Sequence, residues 1–141
     1  MKKVMLIMLL LLPLQAMAAR DYQNGTYWTV TGVDTKPGMY NVYIADLKNV
    51  WLKSVEMLIK DGKALSYRMF SNVHARQGEP DLYLMIEWKS AGDVLDTSDE
   101  YWDTQEEKLF GSVDKGVEAT VKRGDLRTIM SESLLRELSF K

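Results

Sequence analysis

The chain has 141 residues, 46% of them hydrophobic and 27% charged, with a formal net charge of −2 and no cysteine. That is the length of one domain, and its mildly acidic balance argues against a nucleic-acid partner, which calls for a basic face. Without cysteine there are neither disulfides nor thiol chemistry, so stability must come from the core and from any subunit interface.

The first eighteen residues read as a cleaved signal peptide. Lys2 and Lys3 precede an unbroken apolar run from Val4 to Leu12, and Ala16-Met17-Ala18 supplies the small residues that a signal peptidase reads. The run is too short to span a bilayer, which takes ~20 residues. No cysteine follows it, so lipoprotein anchoring is excluded. The expectation is a periplasmic or secreted protein with a single mature domain over residues 19–141 and no membrane span after cleavage. Loss of Lys2 and Lys3 takes the net charge from −2 to −4.

Tyr27 to Asp34 is rich in aromatic and β-branched residues, with Trp28 and Val30 on one face and Thr29, Thr31 and Val33 on the other, as a strand requires. Asn24-Gly25-Thr26 matches a glycosylation acceptor and is read as a chance match. The breaker pair Pro37-Gly38 then leads into one long amphipathic helix from Met39 to Asp61. Tyr40, Tyr43, Ile44, Leu47, Trp51, Val55 and Leu58 recur along it at three- and four-residue steps, and Gly62 ends it. Only a sheet or another long helix covers such a stripe.

Leu65 to Val73 and Leu82 to Trp88 form a hairpin around the polar loop His74 to Asp81. Placing Val73 opposite Leu82 sets Arg68 against Glu87, Phe70 against Met85 and Asn72 against Tyr83. The other face then holds Leu65, Tyr67, Met69 and Val73 with Leu82, Leu84, Ile86 and Trp88. A face combining Arg68, Phe70, Tyr83, Met85 and Glu87 suits a homodimer interface, with an apolar centre and a paired charge towards its rim.

The acidic stretch Asp93 to Glu107 predicts a second helix, started by Thr97 or Ser98 with Asp99 and Glu100 near its positive end, and closed at Leu109-Phe110-Gly111. In Ser112 to Met130, Val113, Val117 and Val121 sit four apart, but Gly116 and Gly124 interrupt. This predicts a weak helix and then a loop. Leu134 to Phe140 is the last strand, with Leu134, Arg136, Leu138 and Phe140 on one side.

Strand, helix, strand, strand, helix, strand is the split βαβ order of a ferredoxin-like α+β sandwich. Right-handed crossovers put the first and third strands in the centre. A cystatin-like sheet on one long helix is the alternative, and it leaves the second helix without a place. The pattern resembles the dimeric α/β-barrel superfamily, which includes stress-responsive barrel proteins and antibiotic-biosynthesis-type monooxygenases. The resemblance spans nearly all of residues 19–141, through the helix ending at Asp61-Gly62, the strand start Lys63-Ala64-Leu65-Ser66-Tyr67, and Trp88-Lys89 before the second helix. It implies a dimer and a small-ligand pocket between sheet and helices. It carries no activity with it.

His74, the single histidine, is a candidate general base or haem ligand at a strand end, weighed against an ordinary solvated loop residue. Asp99, Asp103 and Glu106 share a helix face, with Asp96 and Glu107 nearby. They lack a calcium-loop pattern and read as a solvated face, so no metal site is expected. Trp28, Tyr67, Trp88 and Trp102 are the ligand-binding candidates, since apolar pockets with a few polar groups are the usual small-molecule sites. The leading reading is an exported non-enzymatic dimeric barrel that binds a small apolar or aromatic molecule or a partner, without a cofactor. Two readings stand beside it: a cofactor-independent monooxygenase or isomerase using Tyr67, His74 and Trp88, and a haem protein using His74.

Mass spectrometry of the exported protein is expected to give a chain beginning at Ala19. A mass that retains Met1 to Ala18 refutes the cleavage site.

Overall fold

The computed structural model describes residues 20–141. The expected signal peptide lies outside them. Strand β1 runs from Tyr22 to Thr35, starting earlier than its aromatic and β-branched centre requires, because its first residues pair with the end of the chain. Two helical segments follow, α1 (Tyr40–Asn49) and α2 (Trp51–Lys60). Strands β2 (Ala64–Ser71) and β3 (Leu82–Trp88) come next, then α3 (Ala91–Leu95), α4 (Asp99–Phe110) and α5 (Val113–Lys122). A 3₁₀ turn at Arg123–Asp125 leads into β4 (Arg127–Phe140).

The strands form one four-stranded sheet in the order β2-β3-β1-β4, every neighbour antiparallel. This is the ferredoxin-like arrangement, with the first and third strands central. A cystatin-like sheet on one helix is ruled out by the helical layer that α4 and α5 add.

The expected single helix is divided. Val50 leaves helical geometry at φ −122° and ψ −63°, yet its N–H still donates to Asp46 O and its carbonyl still accepts from Ser54 N. Because those bonds continue, the apolar stripe runs across the break: Tyr43 and Leu47 are buried before it, Val55 and Leu58 after it. The stop is as expected. Gly62, at φ +73°, donates to Ile59 O while Lys63 N–H reaches back to Leu58 O, the paired bonds of a Schellman turn.

Side-chain alternation gives the sheet two unlike faces. Val33, Leu82, Leu84 and Trp88 point to the helices and are buried with Tyr43, Leu47 and Leu58. Trp88 also donates its indole N–H to Thr29 Oγ1 at 2.9 Å, which satisfies its polar atom inside the core. The opposite face carries Trp28, Val30, Tyr83, Met85, Arg68, Phe70 and Leu135, with none of the described helices over it.

The hairpin register differs from the expected one by two residues. Ser71 lies opposite Leu82, Phe70 opposite Tyr83, Arg68 opposite Met85, and Ser66 opposite Glu87, with an irregularity between Ala64 and Ser66. Arg68 and Glu87 are therefore not partners. Glu87 instead accepts from Ser66 Oγ at 2.6 Å and Thr26 Oγ1 at 2.8 Å, while Arg68 Nη1 folds back onto Tyr67 O. An even shift leaves every side chain on its expected face, so hydrophobic patterning cannot detect it. The ladder end sets it: Asn72 N–H donates to Asp81 O, and Asp81 N–H to Val33 O, tying the loop to the central strand.

Two further differences concern the second half. The acidic helix is preceded by the separate short α3, capped by Ser90, whose hydroxyl accepts from Asp93 N. Ser98 occupies the N-cap position of α4 without a side-chain capping bond. Ser112 to Met130 holds a regular helix α5, capped by Ser112, and the first residues of β4, which begins seven positions before Leu134 because it pairs with β1 as far as Thr35 and Arg127.

A double-mutant cycle on Arg68→Ala and Glu87→Ala is expected to show no coupling beyond the ~0.5 kcal/mol scatter of independent sites. Urea unfolding of the four proteins measures it, and a larger stabilising coupling would restore the ion pair.

Candidate functional site

Three surfaces stand out once the core is accounted for. The first is the open sheet face. Met85 sits at its centre between Val30 on β1 and Arg68 on β2, and Trp28 pairs with Leu135 on β4. Phe70 and Leu135 are about half exposed, at 52% and 50%. Glu87 and its two hydroxyl partners occupy one end, and Glu137, which accepts from Thr26 Oγ1 at 3.3 Å, lies near the β4 margin. Arg68 lies at the β2 margin, so the face carries opposite charges on its two sides.

The second is an apolar cavity of about 310 Å³ between the helices and edge strand β2, walled by Ile44, Leu47, Trp51, Leu52, Tyr67 and Met69. It exists because the helices cover the centre of the sheet more fully than β2, leaving Tyr67 and Met69 partly uncovered. Trp51 and Tyr67 meet edge to face, with ring centroids 5.6 Å apart, and fix one end. Lys48 is the charged residue on this wall.

The third is a mixed, half-open cleft of about 330 Å³ between α2, α4 and α5 at the level of the Val50 break. Two polar ties hold its frame. At one side Arg123 Nε donates to Asp46 Oδ2 at 2.8 Å, an ion pair whose side chains are only 18% and 24% exposed. At the other, Asp61 Oδ2 accepts from Tyr101 Oη at 2.8 Å and from Gln105 Nε2 at 3.2 Å, joining the end of α2 to α4. Lys63 lies over the Tyr101 ring at 4.7 Å and donates to Thr97 Oγ1. Burial, with the adjoining Asp61 carboxylate, pushes the Tyr101 phenol up to about 12. Burial also raises Tyr43, against the Arg127 guanidinium beside it.

The four aromatic candidates do not meet in one site. Trp28 is on the open sheet face, Tyr67 on the apolar cavity, Trp102 on the mixed cleft, and Trp88 is buried in the core. His74 stands exposed in the β2–β3 loop, its backbone N–H donating to Asn72 Oδ1 at 3.3 Å. It follows the Ser71 end of the hairpin, whereas Trp88 closes the Ala64 end, about 20 Å away at ~3.3 Å per strand residue. Tyr67, His74 and Trp88 thus do not converge on one centre. Among the described residues no group of three or more histidines and carboxylates has the geometry of a metal site. Asp99, Asp103 and Glu107 are exposed on α4. No helix among those residues is long and apolar enough to cross a membrane.

Two residues on the mixed cleft carried no signal in the sequence. Gln105 is 96% buried by its 4% exposure, in a stretch of acids that reads as solvated. Arg123 follows a glycine-interrupted segment and finds Asp46 only through the tertiary fold. Charge placed outside regular periodicity is legible only once its neighbours are known.

No protein-family model matches the sequence. No curated protein matches it either. Among solved structures, one protein of Shewanella oneidensis is similar over 84% of this chain and 98% of its own, with 12% identity and a TM-score of 0.44. A dimeric ferredoxin-like protein from an uncultured marine organism is similar over 83% and 94%, with 11% identity and a TM-score of 0.46. Likeness at this level concerns the course of the backbone and says nothing of activity.

Raising pH is expected to weaken the Tyr101–Asp61 tie. The folded phenol titrates near 12, above its ordinary value of 10, so the stabilisation is complete below the unfolded value and is lost as pH rises through the folded one. Ultraviolet titration should show a late phenolate step that Tyr101→Phe removes. A titration unchanged by that substitution would contradict the assignment.

Proposed function

We propose that this is an exported, non-catalytic binding protein that works as a homodimer joined through its open sheet faces, with a small apolar or aromatic ligand held on the helix side of each subunit. The observation that carries the reading is the composition of the open face. Trp28, Val30, Met85, Phe70 and Leu135 form a contiguous apolar field on a sheet face that none of the described helices covers. A monomer seldom leaves such a field in water, and patches of this kind mark interfaces.

A second copy is the occupant that suits the charges. Arg68 at one margin and Glu137 at the other let a two-fold arrangement lay each margin over the partner's opposite one, so the same patch serves both subunits. Glu87 accepts from the Ser66 and Thr26 hydroxyls at one end of the face, which keeps its carboxylate hydrogen-bonded at the rim of the contact. The edge strand β4 adds Leu135, half exposed beside Trp28, to this surface.

The apolar cavity walled by Trp51, Tyr67 and Met69 is the ligand site in this reading. Its volume of about 310 Å³ is at the lower end of small-molecule pockets, ~300–1,000 Å³. Carbon dominates its walls, so it offers burial more than hydrogen bonds, and a binding role without chemistry follows from that. Trp28 then belongs to the interface and Trp88 to the core.

Sedimentation is expected to show a dimer at tens of micromolar. Met85→Lys and Phe70→Glu should each give a folded monomer, because each buries an unpaired charge in the contact. Circular dichroism confirms folding of the variants. A monomeric wild type, or folded variants that remain dimeric, overturns the proposed interface.

A further inference from the structure

We propose that the outer edge of β4 pairs antiparallel with β4 of a second copy, about a two-fold axis at Leu134, so that two four-stranded sheets join into one. The strand's edge makes this contact, so it is distinct from the face-to-face dimer proposed above and does not rest on it. β4 is the outermost described strand on its side of the sheet, and every β4 residue after Arg127 is exposed. A strand in that position shows water a row of backbone N–H and C=O groups that another strand can take up. Edges are commonly guarded by lysine, by proline or by being very short. β4 has fourteen residues and neither lysine nor proline, and Ile129, Leu134 and Leu135 are exposed along it.

The charges on this strand select a second copy and its register. β4 is regular from Ser131 to Arg136, with an irregularity against β1 on either side. Within that stretch Glu132 stands two residues before Leu134 and Arg136 two after it. All three lie on the helix side, since Leu134 is opposite Thr29, which accepts from the buried Trp88 indole. A two-fold at Leu134 therefore sets Glu132 of each copy against Arg136 of the other, with the two Leu134 side chains between the ion pairs. Opposite charges directly across a strand pair stabilise it, and like charges destabilise it. The neighbouring registers lose this match. Centring on Ser133 sets Glu132 against Leu134, and centring on Leu135 sets Arg136 against Leu134. Centring on Glu132 or Arg136 brings like charges together. Neither Glu132 nor Arg136 belongs to an ion pair among the described residues, and Arg136 is steadied by the Tyr27 ring, 5.1 Å away. A contact this short belongs with weak interfaces and is expected at higher concentration than the face-to-face dimer.

The protein has no cysteine, so single cysteines report the register. In concentrated protein under mild oxidation, Leu134→Cys is expected to form disulfide-linked dimers about ten-fold or more faster than Glu132→Cys or Arg136→Cys. Directly opposite strand residues hold their Cα atoms ~4.5–5.5 Å apart, within reach of a disulfide, whereas the two copies of residue 132 stand about 13 Å apart along the strands. A mixture of Glu132→Cys and Arg136→Cys should give the mixed dimer ahead of either homodimer. Leu134 lies on the helix side, so a face-to-face dimer keeps its two copies on opposite sides of the stacked sheets and does not produce the Leu134→Cys product. Adding Glu132→Arg or Arg136→Glu to Leu134→Cys should slow cross-linking, and adding both should restore it. In the unsubstituted protein, alternate β4 amides should gain protection from hydrogen exchange as concentration rises, a readout that does not depend on how the variants fold. Equal cross-linking at the three positions, a double charge reversal that stays slow, or β4 exchange indifferent to concentration would each overturn the proposal.

Discussion

Val33 and Leu82 face one another across β1 and β3 with essentially no surface left to water, and the architecture depends on keeping that pair dry. A strand turns alternate side chains to opposite faces, so fixing Val33 and Leu82 towards the helices also assigns Leu84 and Trp88 to that side. The same alternation sends Val30, Tyr83 and Met85 the other way. One apolar contact therefore determines both the core and the open face, and burial of two full aliphatic side chains is worth about 1.5–3 kcal/mol each.

The helical layer is held to that core by grease along its length and by polar ties near its ends. Tyr43, Leu47, Val55 and Leu58 continue a stripe across the Val50 break because the hydrogen bonds on either side persist. Asp46 on α1 engages Arg123, and Asp61 beyond α2 engages Tyr101 and Gln105. Such partly buried, charge-assisted bonds add specificity at a desolvation cost. Placed on both sides of the break, they brace α4 and α5 around the space lined by Trp51, Trp102 and Phe110. The cleft is a consequence of that bracing.

The hairpin shows where reading a sequence reaches its limit. Pairing Arg68 with Glu87 satisfies both charges, and the true register satisfies Glu87 with two hydroxyls while leaving Arg68 in solvent. Thr26 comes from another strand, so its competition for Glu87 is invisible until β1 is laid beside β3. The helix break at Val50 is similar. It involves neither glycine nor proline, and the residues flanking it are the ones that meet α4 and α5.

What the sequence determined by itself was everything carried by local periodicity and punctuation. The 3.6-residue stripe from Tyr43 to Leu58, the stop at Gly62, the strand Leu82–Trp88 and the close of the acidic helix at Gly111 are set by near neighbours in the chain, and the central place of the first and third strands follows from the order of the elements and the hand of their crossovers. The start of β4 at Arg127 and the regular helix through Gly116 were decided by tertiary structure. Arg127 extends because Thr35 is there to pair with it. Gly116 stays helical where the Glu106 side chain and Phe110 lie against it, a place in which a Cβ would collide. The separation of Trp28, Tyr67, Trp88 and Trp102 into four environments was likewise beyond the sequence. An aromatic residue buries equally well in a core, a cavity wall or an interface, and only the arrangement of the other elements decides which of these it meets.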